Sequence, residues 1–297
     1  MDELVKDLKV PMDKPLELVV LAVKKSAMRC KVVASGDAIT FRKVRYEVEG
    51  EIITVKPSKL WRFKRTHYMT GEILSKRIDI AALRLKPLLL KNMGLWNPKD
   101  EYRGEAKEPL DIYLKPIIEY GARLSYEMEQ VIPTLSQEPE NFDSDPIFEA
   151  SEYYNSGNDQ EAFKIIEEIL TTDLRCLDAH AHLGNWEFNS TNEPHRNTID
   201  KAKRHYEVGV KIGDLSFSND IGFNGVLRWG HINNRPFLRC LHGYGLSLWR
   251  LGKSEEAREV FNRILWLNPL DNQGIRFLLA DIDAGKTWYE LYKNSDN

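Results

Sequence analysis

The chain has 297 residues, 42% of them hydrophobic and 29% charged, with a formal net charge of -3, which is apolar material enough for one large or two modest cores. No run approaches the roughly 20 apolar residues of a membrane span, and the charged opening MDELVKDLKV lacks the apolar region of a signal peptide. Cys30, Cys176 and Cys240 are far apart and form no Cys-x-x-Cys pair, so they read as reduced, buried thiols of a cytoplasmic protein rather than a disulfide or metal framework.

The small net charge hides an asymmetry. Lys24 to Lys91 holds 17 Lys/Arg against 6 Asp/Glu, an excess of 11 that leaves -14 for the rest. Thr134 to Glu168 has 10 acids and only Lys164 as a base. A basic body therefore precedes an acidic middle, which suits either an external anion or mutual attraction between the two parts.

Residues 16 to 80 show short-period patterning. Leu16–Leu21, Arg29–Val33, Ala38–Phe41, Glu51–Val55 and Leu60–Phe63 are strand candidates, separated by turn signals at Ser35-Gly36-Asp37, Glu49-Gly50 and Pro57-Ser58. Such short, closely spaced strands predict a small antiparallel barrel or curled sheet, a basic β-rich module over 1–91. A connecting segment over 92–145 follows. Ala81–Lys91 is compatible with helix or strand. Asn92–Lys107 reads as a loop pinned by Trp96 and Tyr102, and Leu110–Val131 has helical periodicity interrupted by Pro116 and Gly121. Thr134–Asp145 is acidic and polar and reads as a linker.

From 146 onward the period is helical. Pro146–Leu174 reads as helix, turn at Ser156-Gly157-Asn158, then a helix carrying Ala162, Ile166 and Ile169. Leu177–Phe188 pairs with Thr198–Ile212, which carries Ala202, Tyr206 and Gly209. In Phe237–Ala280, Gly243, Gly245, Leu248 and Trp249 fall on one helix, Gly252 ends it, and Ala257, Phe261 and Leu265 stripe the next until Pro269 stops it. A final helix, Asn272–Ile282, follows Asp271 or Asn272 as N-cap.

The third of these hairpins resembles a tetratricopeptide repeat. It has a packing glycine, a turn glycine, a Glu-Ala start, an aromatic one turn on and a terminal proline. Ala162, Ala202 and Ala257 start the second helices at separations of 40 and 55, the period of about 34 residues with insertions. The whole resembles bacterial cytoplasmic proteins in which a small β-rich module precedes such repeats. The fold class expected is α+β: a small antiparallel barrel-like module, then an α-α superhelical repeat array over 146–297 with a capping helix.

That resemblance implies a groove lined by the first helices and filled by a peptide or partner protein, hence a non-enzymatic scaffold or adaptor. Groove positions are Tyr154 and Asn155, then Asp178, Asn185, Phe188 and Asn189, then Arg239, His242, Trp249 and Arg250. Arg and Trp are enriched at energetic centres of interfaces, while Trp249 and Phe188 also suit packing between helices. In some members a Lys, Arg and Asn clamp holds a terminal carboxylate. Ala181 and Gly243 stand where further clamp residues are needed, so that specificity is not carried over.

The 24-residue connection Gly213–Pro236 is long enough to be functional. It carries Arg228, Trp229, His231, Asn233, Asn234 and Arg235, as partner ligands or as groups tucked into the helices. His180-Ala-His182 is a poor metal pair, because residues two apart on a helix diverge by about 200°. No phosphate loop, dinucleotide glycine motif or nucleophile elbow is present, so no cofactor, metal or catalytic group is expected.

One further motif stands apart from the helices. Lys59, Trp61, Arg62, Lys64 and Arg65 interleave cations with aromatics, a mixture suited to single-stranded nucleic acid bound through residues 24–91. Period-two alternation suits equally an aromatic barrel core with a solvated basic face.

Overall fold

The protein is described from a computed structural model that covers residue 12 and residues 14–42, 46–101, 112–131, 145–190, 195–217 and 223–292. The chain forms two compact units, one of residues 1–85 and 132–179, the other of 86–131 and 180–297. These units cut across the expected divisions at 91 and 145.

In the first unit, Leu16–Lys24 (β1), Ala27–Val32 (β2), Ala38–Phe41 (β3), Ile52–Phe63 (β4) and Thr66–Arg77 (β5) close into a barrel in the order β1-β2-β3-β5-β4. This is a Greek-key order, with the fourth strand returning beside the first. All pairs are antiparallel except β3 with β5, which is parallel, so the expected all-antiparallel module is corrected at that pair. Leu18, Val20, Met28, Cys30, Ile39, Phe41, Ile53, Val55 and Met69 fill the barrel.

The two strands expected at Glu51–Val55 and Leu60–Phe63 are one. Strand β4 runs through Pro57-Ser58, and its register against β5 shifts between Pro57 and Lys59. A bulge is where a strand tolerates proline. Facing it, Gly71 sits so close to the Lys56 carbonyl that no Cβ fits there. That glycine, and the polar content of THYMTGEILSKR, hid β5 from sequence patterning.

Pro146–Asn155 (α3) and Asp159–Thr172 (α4) form a helical hairpin in the same unit. The Asp145 carboxylate caps α3 by accepting from the Ile147 amide at 2.9 Å. Helix α4 packs on β1, which explains why β1 is buried at five consecutive positions, Leu18 to Ala22, rather than alternately. The expected linker at 134–144 lies outside the described residues.

The second unit begins with Leu90–Trp96 (β6), Pro98–Glu101 (α1), Lys115–Tyr120 (α2) and Arg123–Met128 (β7), the two strands pairing antiparallel. The helix expected over Leu110–Val131 is therefore confined to α2. Gly121 at φ 93 ends it, and alternation at the start of RLSYEM, which buries Arg123 and Ser125 and exposes Leu124, is the strand signal that the leucine spacing masked. The loop expected at Asn92–Lys107 is strand as far as Trp96, and Tyr102 is not described.

Leu177–Asn189 (α5), His195–Asp214 (α6), Arg235–Arg250 (α7), Ser254–Leu267 (α8), Ile275–Asp283 (α9) and Trp288–Tyr292 (α10) follow. The unit boundary falls within α5, after Ala179. Helix α7 packs against both α6 and α8. It is accordingly buried at ten positions, including Phe237, Leu241, Leu248 and Trp249. Helix α9 starts after Gly274, and Asp271 caps it from upstream, accepting from the Ile275 amide at 2.6 Å and the Arg276 amide at 3.2 Å. No helix among the described residues is long and apolar enough to cross a membrane.

Candidate functional site

A cavity of about 450 Å³ opens between α5 and α7. Ala181, His182 and Asn185 line it from α5, Tyr206 from α6, and Arg239, His242, Gly243 and Leu246 from α7. The spacings are i, i+1, i+4 on one helix and i, i+3, i+4, i+7 on the other, so each helix presents a single stripe. Arg239 and Asn185 are exposed, His182 and His242 half-buried, and Tyr206 forms the floor at 5% exposure.

Burial pushes the His242 imidazole down to about 4, against the opposing attraction of Asp271. It is a neutral ring at neutral pH, able to donate and accept at once. Burial drives the Tyr206 phenol well above its ordinary value. Among the described residues that line the wall, Arg239 supplies the cationic group. The site combines an apolar floor, amide and imidazole groups for hydrogen bonds, and a guanidinium at the rim. Such a set is chemically suited to a ligand carrying an anionic group.

Of the expected partner residues, Asn185, Arg239 and His242 meet in this cavity. Asn189 stands one turn beyond and donates to the Asn185 carbonyl at 2.9 Å. Trp229 borders Arg239, whose guanidinium lies 5.9 Å from the indole centroid, with that of Arg235 at 5.3 Å.

Trp249 and Arg250 point elsewhere. Trp249 is 1% exposed, its indole donates to the Lys286 carbonyl at 3.2 Å, and it meets Trp288 edge-on. Arg250 donates to the Phe188 carbonyl at 3.0 Å and stacks over Phe188 and Trp288. Of the four expected groove anchors, Trp249 is thus interior packing and Arg250 a half-buried contact to Phe188 and Trp288, the latter on α10, which sequence patterning did not find.

The Gly213–Pro236 connection is likewise committed inward where described. Asn234 is fully buried. It accepts from the Met128 amide at 2.8 Å and donates to the carbonyls of Tyr126 and Arg228 at 2.9 and 3.1 Å, fastening the loop to β7. Arg228 pairs with Glu101 at 3.0 Å. His231 lies 3.4 Å from the Ser125 hydroxyl, and Arg235 donates to the Trp229 carbonyl at 3.1 Å. Asn234 and its neighbours therefore brace the second unit, while Trp229 reaches the groove rim through Arg239.

Among the earlier groove positions, Tyr154, Asn155 and Asp178 belong to the first unit and do not line this cavity. Leu246 was missed, although it falls at i+7 from Arg239. His180 is fully buried while His182 lines the cavity, as their divergence on one helix requires. Against protein-family models, curated proteins and solved structures, the chain gives no match.

Proposed function

We propose that the helices from α5 onward are stacked tetratricopeptide-like hairpins, and that the α5–α7 groove holds an extended peptide bearing a carboxylate, without catalysing its reaction. The observation that carries this reading is the convergence of Asn185, Arg239 and His242 from the first helices of two successive hairpins on one 450 Å³ cavity. A cavity of this size accommodates one or two side chains. The Arg239 guanidinium at the rim suits an acidic side chain or a chain terminus.

The test is peptide phage display on the full chain, with Arg239→Glu as the counter-selection target and Leu246→Trp as a plug for the cavity. Acidic peptides should be enriched, and both variants should lose at least tenfold in affinity while melting within a few degrees of the wild type. Absence of enrichment, or peptides that bind both variants as well as the parent, overturns the proposal.

A further inference from the structure

We infer that the outward face of β3, β5 and β4 binds a single strand of nucleic acid, with bases stacked on Phe63 and the Trp61–Tyr68 pair and phosphates on Arg42, Lys59, Lys64 and Arg65. This site belongs to the first unit and does not depend on the groove.

The strand register fixes which side chains face out. Met28, Phe41, Met69 and Leu60 are successive cross-strand partners on β2, β3, β5 and β4. The first three are fully buried and Leu60 packs on the barrel core. One residue along, the row is Arg29, Thr40, Tyr68 and Trp61, which by the period of two must point away from the core. The aromatics here are therefore not the barrel filling. Trp61 and Tyr68 are half-buried and stack on one another at 5.6 Å and 14°. Phe63, two residues further along the same face, is 62% exposed.

Cations cover these rings. Arg42 stands 5.6 Å above Tyr68, Lys59 5.5 Å from the Trp61 centroid and Lys64 5.7 Å from that of Phe63. Lys56 to Arg77 contains seven Lys/Arg and one acid, Glu72. Three of the basic groups are otherwise engaged: Arg77 pairs with Glu17, Lys76 donates to the Tyr46 carbonyl at 3.2 Å, and Arg62, on the opposite face, donates to the Lys64 carbonyl at 3.0 Å. At the far edge Lys24 meets Glu167, and Arg29 acts on the same carboxylate, so the anion path runs along β4–β5 rather than toward β2.

An acidic peptide would use the cations but leave the rings without a partner, and a duplex would hide its base faces. A single strand offers a flat π-face and a phosphate at every step, which is what alternating rings and cations match.

The experiment is fluorescence anisotropy of a labelled 12-nucleotide oligo-dT with the full chain, from 50 to 200 mM salt. Binding should weaken steeply with salt. Lys59→Gln should lower the slope of log K against log salt by about 0.7, the value for one phosphate contact on a single strand. Phe63→Ala and Trp61→Ala should each weaken binding about 5- to 150-fold, the loss of one stacked base. Should Trp61→Ala not fold, Phe63→Ala decides alone, since its ring is exposed. No binding at 50 mM salt, ring variants that bind like the parent, or equal competition by duplex DNA or polyglutamate overturns the inference.

Discussion

The ring of Tyr206 rests against the backbone of Gly243, close enough that a Cβ there would penetrate the phenol, and against Gly184, where a Cβ would stand 2.6 Å from Cε1. One aromatic on α6 thereby sets the approach of both helices that line the groove, and its ring is also the groove floor. Neither glycine is in a left-handed conformation, so both are present for close approach rather than for turning. Gly243→Ala should cost about 1–3 kcal/mol, as overpacking against a ring that cannot yield. Gly243→Ala with Tyr206→Leu should be less than additive, since the smaller side chain relieves the clash. Thermal melting of the two single variants and the double variant checks this, and additive losses would show that the contact is not what confines Gly243.

Arg239 and Trp249 sit on one helix but should behave oppositely. Trp249 is buried against α10, and Trp249→Ala should destabilise by about 3–5 kcal/mol through the cavity it leaves. Arg239 is exposed on the groove wall, and Arg239→Ala should change stability by less than about 0.5 kcal/mol. Denaturant titration of both variants distinguishes interior from wall; equal losses would place Arg239 in the packing.

Helix positions were legible because a 3.6-residue period survives in sequence: Ala162, Ala202 and Ala257 mark the second helices, and all three are fully buried. Strand β5 and the β6–β7 pair were not: polar residues and Gly71 broke the alternation of β5, and leucine spacing masked that of β7, while cross-strand pairing supplied the stability. The groove was half legible. Helical spacing placed Asn185, Arg239 and His242 on one side, but which of Trp249 or Leu246 shared that side depended on α10, too short and too far along the chain to be read as Trp249's partner. The hairpin cations and rings read as alternating along one strand, but that strand ends at Phe63, and Lys64 and Arg65 form the turn before β5. Only the register revealed that Trp61, rather than Leu60, faces outward.

Arg123 is an arginine in an unusual setting. It is 3% exposed, with its guanidinium 4.0 Å from the Trp266 centroid and 5.2 Å from that of Trp96. Its nitrogens have no hydrogen-bond acceptor among the described residues. Burial lowers its pKa to about 10, so the fold carries a desolvation cost that cation–π contact only partly offsets. Arg123→Met keeps the stem and removes the charge. It should be as stable as the parent or more so, by up to about 2 kcal/mol, whereas Arg123→Ala should lose stability by emptying the space between the indoles. Chemical denaturation of both variants tests this. A loss in the Met variant equal to that in the Ala variant would mean that the cation itself holds the two tryptophans.

Histidine protonation should make the second unit acid-sensitive. Burial lowers His242 to about 4 and pushes His205 well below its ordinary value, while both titrate near 6.5 in the unfolded chain. Between those values the unfolded state binds more protons than the folded one, so stability rises with pH across the window and falls on acidification. For His242 the loss from pH 7 to pH 4 is of order 1–3 kcal/mol. Carboxylates contribute acid sensitivity of their own, so the comparison must be between the parent and His242→Gln, which retains hydrogen bonding but cannot ionise in this range. The parent should lose stability faster than the variant from pH 6.5 to 4, the two curves running parallel above pH 7. Parallel curves through the whole range would mean that the His242 ring takes up its proton in the folded protein as readily as in the unfolded chain, and that the groove wall is open enough to hydrate it.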